Sequence, residues 1–552
     1  IAEKDPAGWR KTTLQERHKI MYEAANRLGE MRGDLIGCMC AVTGKTVVEG
    51  DVEVSEGIDY ARFYSTSMKQ FAELPDVDIA PKGTILVISP WNFPCAIPIG
   101  GIVAGLAGGN TVILKPATVA APVAWLFAKA FWDAGVPKEA LQVIITDREA
   151  LKVLTTAPAV KHIILTGGTD TAQNIARSNP ATPLSAETGG KNAIILTASG
   201  DRDHAIMNIV ASAFGNAGQK CSACSLLLVE RSVYEDKNFQ DKLKDAATSM
   251  KVGSVWNPGN VVGPMITNKN DKLLKALELE KGESWLVPPR FLDKHKYVLA
   301  PTVKWGVRPG NYSFRTELFG PMLSVVCIEN LQQGINWVNS LDYGLTSGLQ
   351  SLDEGEQKLW KDSIMAGNLY INRGITGAIV NRQPFGGMKL SAFGGGVKAG
   401  GPNYCACFVN IADKPGSTTD YTQSYVKAYE QEFAHARDVN NLYGEQNAFR
   451  YLPLKNMVLR LFPGDNNEDA KMIALAARIC HTPLSISFEP GDDRTAALAS
   501  LGCPLKEEAL AGFLKSMKNY ERIRTCGADI PMEMYEEAAR IDKYIATAKP
   551  VK

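Results

Sequence analysis

Residues 215–224 read GNAGQKCSAC, which sets Cys221 and Cys224 three apart behind a polar, glycine-rich run. That spacing suits a redox dithiol, half of a metal site, or one nucleophile beside a bystander. A structural zinc site needs a second pair of ligands, and the other close pairs, Cys38/Cys40 and Cys405/Cys407, are C-x-C with no nearby histidine. A redox dithiol of the thioredoxin kind sits between a strand and a helix, whereas LLLVE (226–230) follows here and predicts a strand. The pattern favours a nucleophile at Cys221 and a packed, inert Cys224 on the next strand. A free thiol is only slightly ionised at neutral pH, so Cys221 needs activation by its surroundings.

Two further stretches carry chemistry. In SAETGGKN (185–192), Glu187 precedes a Gly-Gly turn, where a carboxylate can move between water and a buried site as a general base does; a solvated turn acid is the plain alternative. In LTGGTDTA (165–172), Gly167 and Gly168 follow a strand and open a helix whose N-terminus could hold a pyrophosphate. The stretch is equally compatible with an ordinary strand-to-helix turn. There is no G-x-G-x-x-G after an early strand and no Walker A motif.

The elements that must position these residues are legible as alternation. Residues 10–75 carry helical periodicity. Short apolar runs then recur at 84–89, 111–115, 141–146, 162–167 and 192–197, separated by helical segments such as 119–135. Strands apolar on both faces, alternating with helices, predict a doubly wound parallel sheet covered on both sides. A second α/β block follows to about residue 388, with SLLLVER, LSVVCIE and GNLYINR as its strands. Expected boundaries are an N-terminal helical segment at 1–78, a dinucleotide-binding domain at 79–198 and a catalytic domain at 199–388. An extended linking or oligomerisation segment at 389–430 and an appended small α/β unit at 431–552 complete the chain.

Composition narrows the partners. The 552 residues hold 60 Lys and Arg against 59 Asp and Glu, so net charge gives no case for nucleic acid or an anionic membrane. Eleven cysteines without regular spacing fit a reducing, cytoplasmic setting rather than a disulfide framework. The uncharged stretch from Cys95 to Leu114 breaks at a Gly-Gly-Asn, as a buried helix followed by a strand would, which argues against a membrane span. His435 and His481 read as ordinary residues, and no metal site is indicated. The chain starts at Ile1 without methionine and stops soon after an apolar run, as a piece of a longer protein would.

Taken together, SPWNFP (89–94), LKPA (114–117), ETGGKN (187–192), GQKC (218–221), ELFGP (317–321) and PFGG (384–387) resemble, in order and spacing, the aldehyde dehydrogenase superfamily over roughly residues 1–412. The resemblance implies a Rossmann-type NAD-binding domain joined to an α/β catalytic domain. It implies Cys221 as nucleophile, Glu187 as the base that activates water, and Asn92 with the Cys221 N–H as oxyanion hole. Ser89, Pro90, Trp91, Lys115, Gly167, Gly168, Glu317 and Phe319 match cofactor-binding positions. Two positions depart from the family pattern: Thr118 replaces an acid that helps exclude a 2′-phosphate, and Gly168 replaces a serine that touches the pyrophosphate. NAD is the implied cofactor, with NADP left open by these departures.

The loop NRGITGAIVNRQPFGG (372–387) and the run MKLSAFGGGVKAGGPNY (388–404) resemble more narrowly the L-glutamate-γ-semialdehyde (1-pyrroline-5-carboxylate) dehydrogenases of proline catabolism. There Ser222, Gly377 and Ala378 would hold the substrate's α-carboxylate, and Phe93 and Phe385 would enclose its aliphatic stem. The same run, with GEQNAFRYLPL (444–454), is similar to the dehydrogenase half of the bifunctional proline-utilisation family, in which an FAD-carrying proline dehydrogenase barrel comes first; no such barrel lies in these residues. The resemblance also implies a homo-oligomer acting on a small molecule. A dehydrogenase for another small aldehyde and a non-catalytic structural relative are the alternatives.

Overall fold

The computed structural model describes residues 1–492, 494–527 and 529–552. The N-terminal helical segment holds Leu14–Glu30, Arg32–Thr43 and Val47–Ala72. The first is started by a reciprocal cap: the Glu16 N–H donates to Thr13 Oγ1 at 3.2 Å, and the Thr13 N–H donates to Glu16 Oε2 at 2.7 Å.

A six-stranded sheet follows, in the spatial order Ala392–Phe393, Leu184–Glu187, Val160–Thr166, Thr84–Ser89, Thr111–Pro116, Leu141–Val143. All neighbours are parallel except Ala392–Phe393, which runs against Leu184–Glu187. Thr84–Ser89 is buried along its whole length, as a strand apolar on both faces must be. Because later strands add on both sides of it, the order reverses between Thr84–Ser89 and Val160–Thr166. That crevice at the carboxyl ends is where ligands settle in doubly wound sheets.

The helix Ala96–Ala107 covers one face and is buried along almost all of its length. Its glycines permit the approach: a Cβ on Gly101 would stand 2.8 Å from Val87, and one on Gly105 2.7 Å from Val112. Among the described residues no helix is long and apolar enough to cross a membrane.

A seven-stranded sheet has the order Asn368–Ile371, Thr346–Gln350, Asn192–Leu196, Cys224–Glu230, Met322–Ile328, Thr302–Trp305, Ser284–Val287. It is parallel apart from the edge pairing of Ser284–Val287 with Thr302–Trp305. One sequence expectation changes here. The run at 192–197 was grouped with the first block, but Asn192–Leu196 pairs with Cys224–Glu230 and Thr346–Gln350. The Gly189–Gly190 turn takes the chain out of one sheet and into the other, a change that apolar periodicity does not reveal.

The segment 389–430 is less extended than its composition suggests. It supplies Ala392–Phe393 to the six-stranded sheet and pairs Val409–Asp413 with Val77–Pro81, and a helix at Tyr421–Ala428 follows. Beyond it lies a five-stranded parallel sheet ordered Leu505–Glu507, Leu484–Phe488, Met457–Arg460, Arg522–Arg524, Ile545–Ala546.

The N-terminal segment is tied to the rest by a buried charge pair. Glu53 accepts from the Cys95 and Ala96 N–H groups at 2.7 and 3.1 Å, capping the helix Ala96–Ala107, and its other oxygen pairs with Lys45. Both side chains are almost wholly buried. Lys45 Nζ also stands 3.9 Å from the centre of the Phe93 ring. Removing one partner of such a pair strands the other charge in a dry environment. Glu53→Ala is expected to cost about 3–5 kcal/mol, read as a lower midpoint of urea unfolding. A loss under about 1 kcal/mol would show that the pair does not hold this junction.

Candidate active site

The switch-point crevice collects residues from three strand ends. Ser89 closes Thr84–Ser89 and is followed by Pro90 and Trp91; Lys115 lies near the end of Thr111–Pro116; Gly167 and Gly168 follow Val160–Thr166. Ser89 Oγ is buried without a hydrogen-bond partner. The ten-residue helix Thr169–Ser178 opens on Gly168 with no side-chain cap, so its first amides are left for a ligand. The Gly167 N–H is not among them, because it donates to the Glu187 carbonyl at 3.1 Å. Burial lowers the Lys115 ammonium from its usual range. Across the crevice, Phe319 meets Trp91 edge to face, with ring centres 5.8 Å apart, and adopts a left-handed φ of 53° to do so.

Cys221 follows a turn that the backbone adopts against its preference. Asn216, Ala217 and Gly218 all have positive φ, at 52°, 54° and 66°, and left-handed conformations cost L-residues roughly 1–2 kcal/mol each. The glycine is obligatory there, since a Cβ would stand 2.2 Å from the Gly320 carbonyl oxygen. Gln219 pins the turn: its N–H donates to Asn216 O at 3.0 Å, and its Oε1 accepts from the Ile266 N–H at 2.8 Å. Asn92, buried, donates through Nδ2 to the Gln219 carbonyl at 3.0 Å. Its amide carries a second N–H for another acceptor. Strain held in this way at one loop marks a functional position.

The Gly189–Gly190 turn packs between the Glu317 carboxylate and the Cys221 backbone. A Cβ on Gly189 would stand 2.4 Å from Glu317 Oε2, and one on Gly190 2.9 Å from the Cys221 carbonyl oxygen. The Gly190 N–H donates to Glu317 Oε1 at 2.8 Å. Asn192, just beyond, donates to the carbonyls of Cys221 at 2.6 Å and Ala223 at 3.0 Å, and accepts from the Thr346 N–H at 3.0 Å. The backbone of Cys221 is therefore held by the first residue of the neighbouring strand.

Cys221, Glu187 and Glu317 are each half-buried, and their electrostatics follow from that shared setting. Burial, then the charges of Glu317 and Glu187, push the Cys221 thiol up to about 12, while the Ser222 N–H and the Cys221 N–H pull the other way. Burial pushes Glu187 up to about 8, against the Gly387 N–H, which donates to its Oε2 at 3.2 Å, and against the Lys398 ammonium. Burial likewise raises Glu317, opposed by the Gly190 N–H. Two groups with displaced ionisation beside one thiol are the mark of a site built for proton transfer.

Of the remaining candidates, Ser222 is buried and Gly377 and Ala378 are half-buried on the 372–383 loop. Tyr370 links that loop to the nucleophile. Its hydroxyl donates to Gly377 O at 2.6 Å, and Cys221 contributes to raising its ionisation after burial. Phe385 is fixed by a reciprocal pair of backbone bonds with Ala399 at 2.8 and 2.9 Å. Phe93 has Lys45 over its ring. Cys224 is fully buried on Cys224–Glu230, as its packed reading requires.

Several residues of the site escaped the sequence reading. Asn192 and Gln219 lie inside quoted motifs, but a clamp on a backbone carbonyl leaves no spacing to find. Lys398 donates to Asn368 Oδ1 at 3.1 Å and to the Gly367 carbonyl. Asn368 in turn accepts from the Gly386 N–H at 3.2 Å and donates to Pro384 O at 2.9 Å, so it fixes the turn on which Glu187 rests. A lone cation in the run GGGVKAGG was the available signal.

Comparison with known proteins agrees with this geometry. The model of the aldehyde dehydrogenase family matches residues 1–413. The chain is 33% identical over 417 residues to the 1-pyrroline-5-carboxylate dehydrogenase of Geobacillus sp. (strain WCH70), covering 72% of this chain and 80% of that protein. Among solved structures, proline utilization A (PutA) from Corynebacterium freiburgense is 36% identical with a TM-score of 0.87. That similarity covers all of this chain, which spans 56% of that protein. A Thermus 1-pyrroline-5-carboxylate dehydrogenase with bound NAD is 32% identical with a TM-score of 0.69, over 74% of this chain and 83% of its own. By its family match and its identity with these relatives, the chain belongs to the aldehyde dehydrogenase family.

Proposed function

We propose that this chain oxidises L-glutamate γ-semialdehyde to L-glutamate with NAD, and that it is the dehydrogenase part of a bifunctional proline-utilising protein. The observation that carries the reading is Cys221, its backbone clamped by Asn192, within reach of the charge of Glu187, which the Gly387 N–H holds, next to a small-residue loop tied by Tyr370. The names of the relatives point to the same substrate.

The Cys221 sulfur attacks the aldehyde carbon, forming a C–S bond as the C=O π bond opens onto oxygen, and the thiol proton passes to solvent water. Negative charge gathers on the former carbonyl oxygen, where the Cys221 N–H and the second Asn92 N–H are the available donors; each such donor typically contributes about 3–4 kcal/mol to the barrier. The uncapped amides after Gly168, the Ser89 hydroxyl, Lys115 and the Trp91–Phe319 pair fit a dinucleotide, and Glu317 offers a carboxylate to a ribose. When bound, NAD supplies the hydride acceptor that converts the thiohemiacetal carbon to a thioester. Glu187 then takes a proton from water as the water oxygen bonds to the thioester carbon, and the C–S bond breaks to release the acid. Ser222 and the amides at Gly377 and Ala378 hold the substrate's carboxylate in this reading, because small residues leave backbone N–H groups open to an anion.

Cys221→Ser is expected to lower NADH formation by roughly 10³-fold or more while cofactor binding, followed by calorimetry, is retained; retained turnover would refute the assignment. Glu187 must be ionised to accept a proton, and its carboxyl is held at about 8. The deacylation rate should therefore rise as pH increases through about 8 and level off above it. Glu187→Gln should give one NADH per site in rapid mixing, then a slow steady rate without that limb. A linear progress curve would place the base elsewhere. Ser222→Ala and Gly377→Val should each raise KM for the semialdehyde roughly ten- to a hundredfold, since a hydrogen bond to a charged group is worth about 1.5–3 kcal/mol. Unchanged KM in both would remove the carboxylate anchor.

A further inference from the structure

The 437–449 segment lies beyond the family match, yet it reaches back to the substrate loop. Its two ends are closed by a reciprocal pair of backbone bonds between Arg437 and Phe449, both at 2.9 Å. Asp438 shapes the interior by accepting from the N–H groups of Asn440, Asn441 and Asn447 at 3.1, 3.1 and 2.7 Å. At its tip, the Glu445 carboxylate takes three donors. Oε2 accepts from Arg373 Nη1 at 3.1 Å, and Oε1 accepts from Arg382 Nη1 at 3.2 Å and Asn447 Nδ2 at 3.1 Å.

Arg373 and Arg382 stand at the two ends of the loop that contains Gly377 and Ala378. One carboxylate thus ties both ends of the loop. Asn447 adds a second tie, since its Oδ1 is 2.7 Å from the Gln383 amide. Arg373 Nη2 lies 3.8 Å from where a Cβ on Gly377 would stand, so the guanidinium is beside the proposed anchor.

We infer that Glu445 is a positioning residue for substrate selectivity: by bridging Arg373 and Arg382 it holds the 372–383 loop, with the Arg373 cation beside Gly377, in the shape that receives a carboxylate. The inference rests on the reading of Gly377 and Ala378 as the carboxylate anchor. Each ion pair is partly exposed, with side-chain exposures of 30% for Glu445, 38% for Arg373 and 32% for Arg382. Single pairs of that kind contribute little. The effect comes from one acid closing a loop at both ends, where its removal leaves two like charges without a shared partner.

The test uses the full chain and two substrates, L-glutamate γ-semialdehyde and propanal, which has no carboxylate. Glu445→Gln is expected to raise KM for the semialdehyde roughly tenfold, while kcat, the KM for NAD and the kcat/KM for propanal stay within twofold. Glu445→Asp, which is too short to reach both arginines, should recover part of the loss. A semialdehyde KM that is unchanged or lowered in Glu445→Gln would overturn the inference, as would an equal loss on both substrates, which would mark a general structural role. The underlying reading fails separately: a wild-type chain that does not prefer the semialdehyde to propanal would refute the anchor itself.

Discussion

The site depends on one close approach, the Gly189–Gly190 turn. The chain leaves the six-stranded sheet at Glu187 and enters the seven-stranded sheet at Asn192, and in crossing it passes between Glu317 and the Cys221 backbone. Neither position can carry a Cβ without striking one of them at under 3 Å. The turn therefore places Glu187 at the end of one sheet, the carboxylate of Glu317 against its own amide, and the carbonyl of Cys221 against the next strand. A hinge between two rigid sheets is a sensible location for chemistry, because each reacting group is held by a different framework and the gap between them stays open to ligand.

Burial at that gap has a double effect. It suppresses the charged forms of Cys221, Glu187 and Glu317 together, so the resting site is quieter than its composition suggests. The same dryness strengthens each directed donor: the Ser222 N–H toward the thiolate, the Gly387 N–H toward Glu187, and the Lys398 charge behind it. The strain at Asn216 and Ala217 fits this arrangement, since those conformations persist only where surrounding bonds overdetermine them. Here Gln219 and Asn192 supply those bonds.

What could be read from the sequence divides along physical lines. The doubly wound alternation was visible because strands buried on both faces must be apolar throughout. Cys221 and Glu187 stood out as candidates because chemistry restricts residue type, and Asn92 because the family resemblance implies it. The sheet membership of Asn192–Leu196 was not, because hydrogen-bonded partners 30 to 150 residues away leave no local trace. The clamps by Asn192, Gln219 and Asn368 were hidden for a related reason: an amide that satisfies a backbone carbonyl can come from any polar residue the fold delivers. Gly167 shows the limit in the other direction. Its motif suggested a phosphate contact, but its N–H is committed to Glu187, and only the neighbouring amides remain.

The C-terminal sheet shows why strand order alone does not define a site. In chain order its strands pack third, second, first, fourth, fifth, the same reversal about the first strand as in the six-stranded sheet. Its switch point lies between Met457–Arg460 and Arg522–Arg524, where an anionic cofactor would be expected. That place is taken by an acid: Asp465 accepts from the Phe462 N–H at 2.9 Å, and a Cβ on Gly527 would stand 2.7 Å from its Oδ1. At the mouth of this crevice the Asp465 carboxylate shares the loop with Arg494, which donates to the Asp465 and Phe462 carbonyls at 2.8 and 2.9 Å, whereas the same position in the first sheet carries the uncapped amides after Gly168. Two sheets of one topology thus differ in what they can bind through the residues at one loop. The contribution of the C-terminal region to chemistry must come from the surface it presents to its neighbours, where Asp542 bonds Gln173 on the helix after Gly168 and Arg522 bonds the Gly395 carbonyl.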